Sequence, residues 1–333
     1  MDMQAHARES SRESAGAVVV LGGSGFIGSQ LSELLRDRGF NVRIGDLVRS
    51  EKFPELWTQC DVRRHETLLE LCRGAQAIIN LAAEHRDDVR PVSRYHETNV
   101  DGAREVCKAA SASGVSKIVF TSSVAVYGFH PHPVDESGSF APFNLYGSTK
   151  LEAERVYLDW AQQDRDRALV IVRPAVVFGE KNRGDVYNLL RQIASGRFLM
   201  VGPGDNVKSM AYVLNVAAFL AYSLRCDAGV HIFNYADGPD LDVNSLVPFV
   251  RERLGRKGSV LRLPKWPVMI AGHLLDLVAR LTGRSFPVSA IRIRKFCETT
   301  QFLANRVAQT GFKAPYSLRD GLARTIQYEF SGK

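Results

Sequence analysis

Cysteine is scarce and scattered: five residues, at 60, 72, 107, 226 and 297, none at the spacing of a metal site or a redox pair. An odd, dispersed set of this kind excludes a disulfide framework and reads as reduced thiols in a cytosolic protein. Long apolar runs are missing too. No stretch approaches the roughly 18 residues that a bilayer span requires, so no transmembrane segment is expected. No Lys/Arg block is interleaved with aromatics, which argues against nucleic acid as a partner. The formal net charge is nevertheless +7, a bias that suits an anionic small substrate or an acidic surface. Residues 1–16 are polar, without the apolar core of a secretory signal, and are expected to form a disordered leader. The chain has no internal repeat. It offers no metal site: His130 and His132, near Asp135 and Glu136, are separated by proline and read as a loop.

From Ala17 onward, short apolar runs alternate with amphipathic stretches. "AVVVLGG", "NVRIGD", "AIINLAA", "KIVFTSS" and "LVIVRPAVV" read as strands, with helices between them. That alternation predicts an α/β chain with a doubly wound parallel sheet, the Rossmann arrangement. The sheet domain is expected over 17–180. Beyond it the alternation loosens, and 181–333 is expected to form mainly a smaller substrate-binding lobe, with 229–238 returning to the sheet. The stretch from about Trp266 to Leu281 has two readings. One is a membrane-surface helix with Arg280 and Arg284 near anionic headgroups. The other, preferred from sequence, is an amphipathic helix covering the smaller lobe.

Gly22, Gly25 and Gly28 lie in "LGGSGFIG", between the first strand and the first helix. This spacing allows a tight turn and aims the free N–H groups of the helix at a pyrophosphate. Asp46 ends the second strand, eighteen residues after Gly28. A carboxylate there accepts from adenosine ribose hydroxyls and repels a 2′-phosphate, which favours NAD over NADP, although Arg49 lies close enough to soften the preference. Asp61 and Val62 suit an adenine edge, or a plain surface turn.

"YGSTK" puts Tyr146 and Lys150 four residues apart, on one face of a helix. An ammonium beside a phenol stabilises the phenolate and brings its pKa towards the working pH. Ser123, in "FTSSVAVYG", leaves the end of a strand where its hydroxyl can hold the same substrate oxygen.

With these motifs in place, the chain resembles the extended branch of the short-chain dehydrogenase/reductase superfamily, in the NAD-dependent epimerase/dehydratase group. The resemblance runs through "GGSGFIG", "NLAAEH", "NVDGAREV", "FTSSVAVYG", "YGSTK", "RPAVVFG", "GPGDNVKSMAYVLNVA" and "GFKAPYSLRDGL". It implies Ser123, Tyr146 and Lys150 as the catalytic set. It also implies NAD contacts from Gly22, Gly25, Phe26, Ile27, Gly28, Asp46, Asp61, Val62, Leu81, Ala82, Ala83, Tyr146, Lys150 and Pro174. A homodimer through helices near 99–113 and 146–163 is implied as well. Two departures narrow the activity. The group's 4,6-dehydratases carry an Asp-Glu pair after the serine position; Val124 and Ala125 stand here, so elimination of water lacks its acid and base. Val176 stands where epimerases of nucleotide sugars usually carry an asparagine, and apolar residues there are more typical of reductase-like and hydroxysteroid-dehydrogenase-like relatives. Lys208 replaces their diphosphate-binding arginine and can still act as a point charge. His85 is either a substrate contact or a loop histidine, and Asn99 reads as a helix N-cap. The expectation is a cytoplasmic, NAD-dependent nucleotide-sugar 4-epimerase. The alternatives are a 4-ketoreductase using NADH or NADPH, a hydroxysteroid-type dehydrogenase, and a non-enzymatic dinucleotide sensor.

Overall fold

The protein is described by a computed structural model over residues 16–86, 89–256, 260–282 and 297–331. All of the expected leader except Gly16 lies outside the described residues, as does Arg284. The first half builds strand and helix in turn: β1 (Ala17–Leu21), α1 (Phe26–Asp37), β2 (Val42–Asp46), β3 (Trp57–Gln59), α2 (His65–Cys72) and β4 (Ala75–Asn80). A short helix, α3 (Ser93–His96), runs through a π-helical turn at Glu97–Asp101 into α4 (Gly102–Ala112). Then follow β5 (Lys117–Thr121), α5 (Leu145–Gln162) and β6 (Ala168–Pro174). The order across the sheet is β11-β6-β5-β4-β1-β2-β3, with β11 being Gly229–Tyr235, and every pairing is parallel. This is the doubly wound parallel sheet that the alternation predicts.

Burial follows from that topology. Strands covered on both faces carry uninterrupted Val, Ile and Leu, and β1 and β6 are buried along their whole length. Their side chains alternate between two layers. Val19, Leu21, Ile118, Phe120 and Ile171 pack beneath α2, α4 and α5. Val18, Val20, Val119, Val170 and Val172 pack on the opposite side with α1 and α7 (Val213–Ser223).

A second lobe has its own core, with Phe178, Leu190, Ile193, Met200, Leu246, Val250 and Leu322 among its buried members. It is held by three small strand pairs: β7 (Val176–Phe178) with β10 (Met210–Tyr212), β8 (Met200–Val201) with β13 (Arg262–Leu263), and β9 (Val207–Lys208) with β12 (Leu241–Asp242). Its helices include α6 (Asp185–Ala194), α8 (Val243–Arg253), α9 (Lys265–Thr282), α10 (Asn305–Gln309) and α11 (Leu318–Phe330). No described helix is long and apolar enough to cross a membrane.

One polar assembly fixes β6 against α5 and β11. Arg173 and Glu154 are each 2% exposed and form a bidentate pair, Nε to Oε1 at 2.9 Å and Nη2 to Oε2 at 2.6 Å. Arg173 Nη1 donates to the Tyr127 hydroxyl at 2.6 Å, which donates to Asn234 Oδ1 at 2.8 Å. Removing one member of a buried pair strands the other charge in a low dielectric, a loss of about 3–5 kcal/mol. We therefore expect Arg173→Met to lose stability on that scale in urea titrations. We also expect the double change Arg173→Met with Glu154→Leu to recover part of it. A single variant within error of wild type would refute the role given to this pair.

Candidate active site

The first strand, the first helix and the fourth strand meet at the carboxyl edge of the sheet, where the strand order reverses and open α/β sheets bind ligands. The backbone there is pinned by Gly22 N–H to the Gly45 carbonyl at 2.8 Å and Leu81 N–H to the Leu21 carbonyl at 2.9 Å. A side chain at Gly28 would place its Cβ 2.3 Å from the Gly22 carbonyl oxygen, so only glycine lets the helix close on the turn. Gly25 is the N-cap of α1 and offers no side-chain cap, which leaves the leading N–H groups, with those of Phe26 and Ile27, available to an anion.

Asp46 reaches back into this loop. Its Oδ2 accepts from Ser24 N–H at 3.0 Å and its Oδ1 from Val48 N–H at 3.1 Å. The carboxylate thus stands beside the glycine turn, where an adenosine ribose would lie. The Ser24 hydroxyl is buried without a protein partner. A glycine-walled turn, an orphaned hydroxyl and a carboxylate at the end of β2 together fit a dinucleotide.

The neighbouring positions divide. Leu81, Ala82 and Ala83 line the exit of β4, half-buried, with Ala82 N–H held by Asn80 Oδ1 at 3.0 Å. Asp61 is clamped by Arg63, Nε to Oδ1 at 2.9 Å and Nη2 to Oδ2 at 2.7 Å, which holds its carboxyl below the usual range. Both of its oxygens accept within the turn, and Val62 is buried against Gly102 at the start of α4. Pro174 closes β6, alongside the Ser122 N–H bonded to the Val172 carbonyl at 2.7 Å.

Ser123, Tyr146 and Lys150 come together where β5 ends and α5 begins. Ser123 caps the short 3-10 turn Val124–Val126, its Oγ accepting from Ala125 N–H at 3.1 Å. Asn144 caps α5, its side chain accepting from Gly147 N–H at 2.9 Å. A Cβ on Gly147 would lie 2.6 Å from the Ala125 carbonyl, so glycine is what allows the helix to seat against the serine turn. Burial raises the Tyr146 phenol, and a hydrogen bond with Ser123 lowers it. The sequence assigned that lowering to Lys150. In the structure Lys150 Nζ instead donates to the Thr121 carbonyl at 2.7 Å, over the Phe120 ring, and is 2% exposed. Burial pulls it down to about 7, with Glu154 opposing the shift.

Asn99 is not the N-cap that its place in the sequence implies. It lies in the π-helical turn, buried, and its Nδ2 donates to the Thr149 hydroxyl at 2.9 Å and the Glu84 carbonyl at 3.1 Å, while Oδ1 accepts from Glu84 N–H at 2.9 Å. It ties the loop carrying His85 to the helix carrying Lys150. The continuous helical pattern of "SRYHETNVDGAREV" conceals the widened turn that makes this possible. Lys208 sits apart, on β9 in the second lobe, with Nζ donating to the Glu298 carbonyl. Burial lowers it to about 8, against the pull of Cys297 and Glu298. Val176 is exposed on β7, in register with Met210, two residues past Lys208.

The position of Lys150 sets a sign for pH dependence. Its folded value near 7 lies below the ordinary value of 10.5, so between these limits the unfolded chain binds a proton that the folded chain does not. That makes wild-type stability rise with pH through the window, by up to about 1.4 kcal/mol per pH unit. Relative to wild type, Lys150→Met is therefore expected to be most favourable near pH 6 and to lose that advantage towards pH 9.5 in urea titrations. A pH-independent difference would contradict a depressed lysine.

Comparison with known proteins places the chain in a family. Residues 18–236 match the model of the NAD dependent epimerase/dehydratase family. The chain is 46% identical, over 94% of its length and 95% of the relative's, to N-acetyl-alpha-D-glucosaminyl-diphospho-ditrans,octacis-undecaprenol 4-epimerase of Escherichia coli O157:H7. It is 25% identical to UDP-glucose 4-epimerase of Vibrio cholerae, across 93% of this chain and 94% of that one. Among solved structures it superposes on MoeE5 in complex with UDP-glucuronic acid and NAD, at a TM-score of 0.73 and 26% identity, covering 94% of this chain and 98% of the other. The cofactor is NAD, and the chain belongs to the NAD-dependent epimerase/dehydratase family.

Proposed function

We propose that this protein inverts C4 of a sugar carried on a diphosphate, through a transient 4-keto sugar, with Ser123, Tyr146 and Lys150 as its catalytic residues. The observation that carries the reading is the contact of the Ser123 and Tyr146 hydroxyls with no carboxylate at the next two positions. Two hydroxyls hold one sugar oxygen. An adjacent acid and base for removing water are lacking, which disfavours dehydration.

NAD, when bound, supplies the acceptor and donor of hydride at C4. The chain supplies the rest. Ser123 orients the sugar hydroxyl, and Tyr146 Oη takes its proton as the ketone forms and returns it after the sugar has turned. Lys150, fixed by the Thr121 carbonyl, keeps positive charge behind the phenol as it ionises. Asn99 positions the helix turn bearing Lys150 through Thr149. The second lobe closes over the sugar, with Lys208 towards the diphosphate and His85 at the rim of the cofactor side. A homodimer through the outer faces of α4 and α5, placed in the cytoplasm and serving polysaccharide assembly, belongs to this reading.

The carrier is a nucleotide in the Vibrio relative and in MoeE5, and a polyprenol in the relative from Escherichia coli. The higher identity of the last supports a lipid carrier for this chain, as does the exposed Val176 in place of a polar residue. Purified protein is to be incubated separately with UDP-N-acetylglucosamine and with a short-chain polyprenyl diphospho-N-acetylglucosamine, and the gluco and galacto forms resolved by NMR. Interconversion without net consumption of nicotinamide is expected with the polyprenyl substrate. Tyr146→Phe should lower turnover by about 10²–10⁴-fold while retaining NAD. Stoichiometric oxidation of added NADH or NADPH would instead make the protein a ketoreductase.

A further inference from the structure

Helix α9, Lys265–Thr282, follows β13 in the second lobe. Gly272 is buried, and Val268 and Leu275 are half-buried, so one side of the helix packs on the protein. An adjoining side is apolar and bare: Trp266 is 69% exposed, Ile270 53%, Leu274 59% and Val278 42%. At four-residue spacing these side chains form one ridge, about 18 Å long and covering about 120° of the helix circumference. Leu261, before the helix, is also exposed, as is Leu199, next to the Met200 whose N–H bonds the Leu261 carbonyl at 2.9 Å. The covering role preferred from sequence therefore accounts for only one face of the helix.

Charge is concentrated in the same stretch. Residues 251–298 hold eleven Lys and Arg against three Asp and Glu, a net of +8, whereas the whole chain carries +7. The remainder of the protein is thus slightly acidic, and the entire positive excess falls in the stretch of sequence that contains this helix. A bare apolar ridge with an aromatic residue at one end, in a strongly basic stretch of sequence, matches the surface of an anionic bilayer, where side chains enter the headgroup boundary and Lys and Arg meet lipid charge. A second copy of the chain would bring the same positive charge against itself.

The ridge also leads to the substrate lysine. Lys265 Nζ lies 3.6 Å from Glu298 Oε1, and the Glu298 carbonyl accepts from Lys208 Nζ. We propose that α9 docks the protein on an anionic membrane surface through Trp266, Ile270, Leu274 and Val278. Docked in this way, the helix places the Lys208 side of the site against the headgroup layer, where the diphosphate of a lipid-linked sugar would lie. The placement rests on the lipid-carrier reading above; the docking itself does not.

The test is sedimentation of the full chain with vesicles, in the absence of any substrate. Wild type is expected to pellet with vesicles of phosphatidylcholine and phosphatidylglycerol, less with phosphatidylcholine alone, and less again as salt rises. Ile270→Glu with Leu274→Glu is expected to lower partitioning by about tenfold or more, while keeping the bound NAD and the far-UV circular dichroism of wild type. Trp266→Phe, a mild change at an exposed site, should abolish the vesicle-induced blue shift of tryptophan emission. The proposal fails if wild type stays in the supernatant with anionic vesicles, or if the glutamate variant pellets like wild type. It fails equally if that variant converts a dimer to a monomer without vesicles, since the ridge would then be a seam between copies. Because binding is read without substrate, a wrong carrier would appear in the epimerase assay and leave this result untouched.

Discussion

A lysine ammonium with almost no access to water is the constraint around which the site is arranged. Lys150 is held by a single backbone carbonyl, that of Thr121, and lies over the face of Phe120. Burying a charge in this way is costly unless other charges compensate. The compensation comes one helical turn on, from Glu154, which is itself fixed by Arg173 from β6. Arg173 in turn engages Tyr127, and Tyr127 engages Asn234 on the returning strand β11. Helix α5, strands β5 and β6, and the last strand of the sheet are thereby joined by one set of buried polar contacts. Burial brings Lys150 down to about 7 and Glu154 opposes the fall, so the lysine stands near neutrality on the same helix as a phenol that burial alone would make a poor acid.

What was legible in the sequence was local. The glycine turn, Asp46 at the end of β2, the serine strand and the Tyr146–Lys150 spacing each lie within a few residues of their partners, and periodicity places them on strand ends and a helix face. The parallel sheet was legible for the same reason, since both-face burial imposes apolar strands. Contacts between distant segments were not. Asn99 read as a cap because an isolated asparagine near a helix start usually is one; its bonds to Glu84 and Thr149 depend on a π turn that leaves no mark in the pattern. Asp61 suits an adenine edge or a surface turn by its position, and the bonds from Arg63, two residues on, to both of its oxygens are what the position alone does not disclose. Glu154 could have been noticed at i+4 from Lys150, but its partner Arg173 lies on another element.

The second lobe follows a different logic. Its strand pairs are only two or three residues long, so tertiary packing rather than propensity defines them. That lobe also carries the bare face of α9, within the sequence stretch that holds the basic excess of the chain.

The central claim is that one proton-handling set serves both directions of hydride movement at C4 without release of the cofactor. It is tested most directly with substrate carrying deuterium at C4 of the sugar, incubated with the purified protein in ordinary water and analysed after equilibration of the two epimers. Retention of the deuterium at C4 in both epimers is the predicted result, because the hydride leaves and returns within one closed site. Loss of the label to solvent, or its appearance in free reduced nicotinamide, would contradict the account.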